Sequence, residues 1–201
     1  YFINWEDSCF QQKLKLFRDE RKNRAYHILD KFKGLGIEID EQRLFDIAGV
    51  GVIGRPHFAK ILVEEEIVSH TREAFWKYLG EGKPAYVPKF RLSPDEAIKI
   101  ILEVGGIPVL AHPNFNSINC DFVKQLIAYG LKGIEVWHTK YSPSDTDKLK
   151  KTADEFGMLT TGGSDCHGTM NSEHPMMGTV KVPYSAVTEL KKYKNNIDKL
   201  L

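Results

Sequence analysis

The sequence has little cysteine, no long apolar run and no excess of either charge. Its 201 residues include three cysteines, 28 Lys and Arg, and 27 Asp and Glu, which gives a formal net charge of +1. Three widely spaced cysteines cannot form a disulfide framework, so we expect free thiols in a reducing compartment, the cytoplasm. The balanced charge excludes a global electrostatic grip on nucleic acid or on an acidic membrane, but it allows a local basic cleft.

No segment approaches the ~20 apolar residues of a membrane-spanning helix, so we expect no membrane partner. The composition, 42% hydrophobic and 27% charged, is that of an ordinary globular protein. Residues 1–4 read as a strand entered in its middle. We therefore expect that an N-terminal part of the natural protein precedes this chain.

The first 90 residues are patterned as helices. Apolar residues from Phe10 to Phe32 recur with a 3.6-residue period, and Gly34 can end that helix. Shorter helices are predicted over 41–48, 56–66 and 71–79 from their capping residues and closing glycines. These short elements predict a compact helical unit.

Strands and helices alternate after residue 92. Strands are predicted over 107–111, 133–137 and 158–162, and a fourth over 180–182, with helices between them and after Tyr184. This alternation predicts parallel strands joined by right-handed crossovers, in a barrel or an open doubly wound sheet. A full barrel needs ~250 residues, so this segment cannot close one alone.

Imidazoles and a carboxylate follow three successive predicted strands. His112 follows the first, His138 the second, and Asp165 and His167 the third. Because parallel strands end at one edge of a sheet, these side chains are expected on the same face. In an extended segment Asp165 and His167 point to the same side, and together they suit Zn, Mn or Fe.

Each of these residues also has an alternative interpretation. Asp165 could cap a turn, with His167 on the surface. His112 could be a core residue or a ligand, with Pro113 restricting its backbone to extended values. His138 could be a ligand, a substrate contact or a solvated loop residue, and the last is favoured from the residues alone.

A glycine-rich turn precedes the helix predicted from residue 56. Its backbone N–H groups and the guanidinium of Arg55 could bind a phosphate, with His57 in the first helical turn nearby. The alternative is an ordinary helix start with Arg55 in a surface ion pair. Arg24 belongs to a basic run on the first helix, which is either a solvated face or a wall for a nucleotide or RNA end.

Four motifs in this order resemble those of the PHP (polymerase and histidinol phosphatase) phosphoesterases, nearest to the subgroup called TrpH-like. They are GRPHFA at 54–59, LAHP at 110–113, GIEV at 133–136 and GSDCHG at 163–168. The resemblance implies an α/β fold, a distorted, TIM-like (β/α)7 barrel. Residues 1–7 and 86–201 would form part of that barrel, and residues 8–85 a helical insertion.

The resemblance also implies a site and a reaction. Two or three Mn, Zn or Fe ions would activate water for attack on a phosphate ester. His112, Asp165 and His167 would be metal ligands, which makes Asp165 and His167 catalytic, and Arg55, His57 and His138 would contact the substrate. The substrate implied is a nucleoside 3′,5′-bisphosphate, or a short RNA trimmed from its 5′ end.

The family's N-terminal ligands, a His-x-His pair with a following Asp, His and Glu, have no counterpart in this chain. The chain thus resembles the C-terminal two-thirds of such an enzyme. Two alternatives follow. One is a non-catalytic PHP-like module that binds a partner or nucleic acid, and the other is a metal-dependent hydrolase of C–N bonds on a similar barrel.

Overall fold

The structure, a computed structural model, describes residues 1–49, 51–113, 120–166 and 176–199. It divides into two compact units, one made of Tyr1–Asp7 with Leu92–Leu201 and the other of Ser8–Arg91. The assignment of residues 8–85 to an insertion in a barrel stays a prediction. Within the described ranges, no helix is both long and apolar enough to cross a bilayer. All three cysteines are free, as expected.

The second unit is built of helices. They are α1 (Ser8–Gly34), α2 (Glu41–Ala48), α3 (Arg55–Glu64) and α4 (Thr71–Ala74), which continues into a π-helical turn at Phe75–Leu79. The helices predicted at residues 10–32 and 41–48 are confirmed. The predicted helix over 71–79 is correct in extent but changes to π geometry in its second half.

Local capping and one apolar core explain this helical unit. The Asp40 carboxylate accepts the backbone N–H of Arg43, which fixes the start of α2. Phe32 of α1 and Phe58 of α3 are fully buried, and their ring centres lie 6.1 Å apart. This stacked pair joins the longest helix to α3 at the centre of the unit.

The first unit alternates helices with strands. Its elements are α5 (Pro94–Glu103), β1 (Val109–Leu110), α6 (Cys120–Tyr129), β2 (Gly133–His138), α7 (Pro143–Glu155), β3 (Leu159–Gly163) and α8 (Tyr184–Asp198). The strands form one parallel sheet in the order β1-β2-β3. The predicted α/β alternation and parallel pairing are therefore confirmed.

Two strand predictions are wrong. Residues 180–182 form no strand, and neither do residues 1–4. Tyr1 nevertheless exchanges two backbone hydrogen bonds with Ile107, of 2.8 and 2.9 Å. These two bonds are not followed by further strand pairing. The backbone N–H of Asn4 donates instead to the Val104 carbonyl.

The pairing of β2 with β3 contains one irregularity. Glu135 is opposite Thr161, but Trp137 is opposite Gly162, so β2 has one extra residue there. Such a bulge re-aims the side chains that follow it. Here these side chains lie at the carboxyl end of the sheet, where the candidate site begins.

Candidate active site

Three predicted site residues meet at the carboxyl ends of the three strands. His138 is the last residue of β2, and the rings of His112 and His138 have their centres 6.3 Å apart. His138 Nε2 lies 3.6 Å from Asp165 Oδ2. The parallel sheet thus places His112 and Asp165, which follow β1 and β3, beside the same central imidazole.

His138 is buried, so its interpretation as a solvated loop residue is wrong. Its side chain is only 2% exposed. Nδ1 accepts the backbone N–H of Lys140 at 3.1 Å, whereas Nε2 has no hydrogen-bond partner among the described residues. A neutral imidazole whose Nδ1 accepts carries its proton on Nε2. The free nitrogen therefore offers an N–H, which suits an anionic acceptor better than a metal ion.

The backbone is left-handed at both His112 and Asp165, with φ of +31° and +52°. This conformation is rare for residues with a side chain, and it is concentrated at functional sites. It corrects two expectations. Pro113 does not keep His112 extended, and the i, i+2 argument does not apply because Asp165 is not extended. The other residue of that argument, His167, lies outside the described residues.

Side chains of β2 and of the turn after it hold the loops that carry these two residues. Glu135 Oε2 accepts the backbone N–H of His112 at 2.6 Å, and the Tyr141 hydroxyl donates to the Pro113 carbonyl at 2.9 Å. The Thr139 hydroxyl donates to the Ser164 carbonyl at 3.1 Å. Sequence reasoning missed these residues, although a lone carboxylate within an apolar strand was a usable signal.

The hydroxyl of Tyr141 stays protonated at neutral pH. Burial, followed by the nearby carboxylates of Glu135 and Asp145, raises the pKa of Tyr141 to about 12. The phenol can therefore donate to the Pro113 carbonyl throughout the physiological range.

Arg55 is held rigidly at the start of α3 in the helical unit. Its Nη1 donates to the Leu79 carbonyl at 2.9 Å, and its guanidinium carbon lies 5.5 Å and 5.7 Å from the ring centres of Phe75 and Tyr86. Within the described part of the chain it pairs with no carboxylate, and the predicted alternative of a surface ion pair finds no support there. A stacked guanidinium without a carboxylate partner keeps donors available for an anion.

Arg24 adds a second guanidinium near Arg55. Its Nε donates to the Val87 carbonyl at 2.9 Å and to the Pro88 carbonyl at 3.2 Å. Burial, followed by the positive charge of Arg55, lowers the pKa of Arg24. Two guanidinium groups whose positive charges repel each other favour a bound anion.

His57 has a capping role that the sequence did not predict. Its Nδ1 accepts the backbone N–H of Gly54 at 3.0 Å, at the start of α3. Burial, together with the charge of Lys60, lowers the pKa of His57. The imidazole is therefore neutral at pH 7, and its proton is on Nε2.

Sequence relatives of the chain include enzymes that act on phosphate esters, although no family model matches it. A 3′,5′-nucleoside bisphosphate phosphatase from Chromobacterium violaceum is 38% identical over 120 residues, which is 58% of this chain and 42% of the relative. The 5′-3′ exoribonuclease Rnm of Escherichia coli is 31% identical over 153 residues, covering 74% and 52%. The chain thus spans about half the length of these curated relatives.

Solved structures cover more of the chain. An amidohydrolase from Chromobacterium violaceum, with bound sulfate and no metal, superposes with a TM-score of 0.68 at 30% identity, over 94% of this chain and 69% of that one. A protein from Bifidobacterium adolescentis described as a metal-dependent phosphoesterase gives a TM-score of 0.68 at 27% identity, over 88% and 63%. The chain belongs to the PHP-type metal-dependent phosphoesterases.

The described part of this PHP-type chain supplies some of the donors that a metal centre needs. Within it, no three His, Cys, Asp or Glu side chains are arranged so that they could hold a metal ion by themselves. His112 and Asp165 provide one imidazole and one carboxylate, each on a left-handed backbone near the buried imidazole of His138. Mixed nitrogen and oxygen ligation suits Zn, Mn and Fe, so these residues fit a divalent ion of that kind.

Proposed function

We propose that the intact protein is a metal-dependent phosphoesterase of the TrpH-like subgroup that hydrolyses a phosphate ester of a nucleotide or short RNA. The reaction would be that of a nucleoside 3′,5′-bisphosphate phosphatase or a 5′–3′ exonuclease. The observation that carries this proposal is the meeting of His112, His138 and Asp165 at the carboxyl edge of the parallel sheet. The names of the sequence relatives support the substrate class.

His112, Asp165 and His167 would be among the ligands of the two or three Mn, Zn or Fe ions of the complete enzyme, which would supply positive charge at the phosphate and lower the pKa of bound water. His138 would act beside them as a donor. Its Nε2 is buried, lies 3.6 Å from Asp165 Oδ2 and makes no hydrogen bond with the described residues, so it can bind a phosphate oxygen without first giving up another hydrogen bond. A buried donor fixed in advance is more effective than one that must reorganise.

Arg55 would bind a substrate phosphate, with His57 and Arg24 beside it. The Nη1 of Arg55 is engaged with the Leu79 carbonyl, and the remaining N–H groups of its fork stay available. The rings of Phe75 and Tyr86 hold the guanidinium in place, which reduces the entropy lost on binding. In this proposal the three described strands form part of a TIM-like barrel.

The test is phosphate release from adenosine 3′,5′-bisphosphate by the intact protein with Mn²⁺. We expect Asp165→Asn to reduce turnover roughly 100-fold or more, because it removes a carboxylate charge that ion binding requires. Asp147→Asn, on an exposed part of α7, is the matched control and should retain wild-type turnover. Equal turnover in the two variants would remove Asp165 from the mechanism, and inactivity of the wild type would favour a binding module.

Hydrolysis of a C–N bond is a second candidate, favoured because the Chromobacterium violaceum structure is described as an amidohydrolase. A panel of amides assayed beside the bisphosphate separates the two reactions. Product from the amides alone would select this candidate.

A further inference from the structure

The His112–Pro113 segment is held at both of its ends by hydrogen bonds to side chains of β2 or of the turn that follows it. Glu135 accepts the N–H on the amino side of His112, and Tyr141 donates to the carbonyl of Pro113. Neither side chain is part of the candidate metal set. We propose that Glu135 and Tyr141 are positioning residues that hold His112 in its left-handed conformation and so fix the position of its imidazole.

The backbone of His112 needs such restraint. A φ of +31° is disfavoured for any residue with a Cβ, and the residue before a proline prefers extended values. Such a conformation persists only where the surroundings over-determine it. The Glu135–His112 hydrogen bond joins a backbone N–H to a carboxylate, and a bond to a charged acceptor is stronger than one between neutral groups.

Glu135 is well placed for this role because β2 is the central strand. Ile134, the residue before it, pairs with Leu110 of β1 and with Thr160 of β3. The carboxylate is therefore attached to backbone fixed on both sides, whereas His112 is in a loop. A site is held more precisely when its supporting side chains come from such rigid elements.

Loss of either contact should weaken the binding of a metal ion by His112. This consequence rests on the proposed function, in which His112 is a ligand. An imidazole free to leave its position must be reordered each time an ion binds. Removing a side chain that orients a ligand typically lowers metal affinity about 10–100-fold. Loss of the Tyr141 hydroxyl, a single neutral hydrogen bond, should lower it by roughly two- to tenfold.

The experiment combines amide NMR of the metal-free intact protein with Mn²⁺ titration. In the wild type the His112 amide proton should be shifted downfield and protected from exchange. Glu135→Ala should abolish both features and weaken Mn²⁺ binding, whereas Glu135→Gln, which keeps an acceptor oxygen, should largely restore them. Glu155→Ala, an exposed change on α7, is the control and should leave both unchanged.

Each outcome decides the matter. An unchanged His112 amide in Glu135→Ala overturns the proposal, as does a Glu135→Gln variant as impaired as Glu135→Ala. If Glu135→Ala fails to fold, Tyr141→Phe replaces it, and an unchanged His112 amide and Mn²⁺ affinity in that variant also overturn the proposal. If the amide responds as expected but the wild type binds no Mn²⁺, positioning stands and the proposed function fails.

Discussion

Gly162 of β3 has no room for a side chain. It lies opposite Trp137 at the bulge of β2, and a Cβ built on it would be 2.6 Å from the Trp137 carbonyl oxygen and 2.6 Å from the Trp137 Cβ. Both neighbours belong to, or are attached directly to, the backbone of the central strand. An alanine at position 162 can therefore be accommodated only if β2 and β3 move apart.

We expect Gly162→Ala to lower the free energy of unfolding by about 2–3 kcal/mol, the upper part of the range for overpacked sites, because no flexible side chain can yield. Asp165 follows on the same segment, so the displacement should also reach the candidate site. A misplacement of ~1 Å there can lower turnover by about 100-fold.

Gly163→Ala is the matched control, one residue further along β3. A Cβ on Gly163 would meet nothing within 4 Å. The free energy of unfolding of Gly163→Ala should equal that of the wild type or exceed it by up to about 1 kcal/mol, since alanine leaves the unfolded chain less conformational freedom than glycine. Urea unfolding followed by tryptophan fluorescence measures both variants. Equal stability of the two would show that the β2–β3 contact is not as tight as its geometry indicates.

The remaining predictions concern the helical unit. Phe58→Ala should lower the free energy of urea unfolding by about 3–5 kcal/mol, because Phe58 is fully buried; Leu16→Ala, at 61% exposure, should change it by less than about 0.5 kcal/mol, and a similar loss in both would contradict the assigned core. The Lys77 ammonium and the Ser69 amide lower the pKa of Glu73 from 4.5 to about 2. Because the folded-state pKa is the lower one, this stabilisation is present above pH 4.5 and is lost as the pH falls towards 2. The melting temperature of the wild type should therefore exceed that of Glu73→Gln at pH 6 and converge with it near the acid limit, and a constant difference would exclude this titration.

Helices with local capping signals could be predicted closely from the sequence. The bounds of α2 were predicted correctly, because Asp40 caps its start and Gly49, at positive φ, ends it. The π-helical turn at Phe75–Leu79 could not be predicted from the sequence, because an α-helix and a π-helix there share the same apolar pattern. The difference is in the backbone hydrogen bonds, such as that from the Gly80 N–H to the Phe75 carbonyl, which spans five residues instead of four.

The edge of the sheet on which the site lies could also be predicted, since it follows from parallel topology. The burial of His138 could not be predicted from strand alternation. The irregularity between Glu135 and Trp137 interrupts the alternation of faces along β2 before His138 is reached. Which nitrogen of His138 faces the site depends instead on the Lys140 amide in the following turn, and no pattern of residue types encodes that choice.

The errors at His112 and Asp165 have one physical origin. Rules for the residue before a proline, and for side chains two apart in a strand, describe what the local chain prefers. At His112 the carboxylate of Glu135, 23 residues away in sequence, opposes that preference, and the loop of Asp165 is tied to β2 through Thr139. Long-range hydrogen bonds can override a local preference only where the partner is itself fixed, and the central strand provides this. At both residues, a backbone that departs from local rules is therefore held by hydrogen bonds from the central strand or from the turn that follows it.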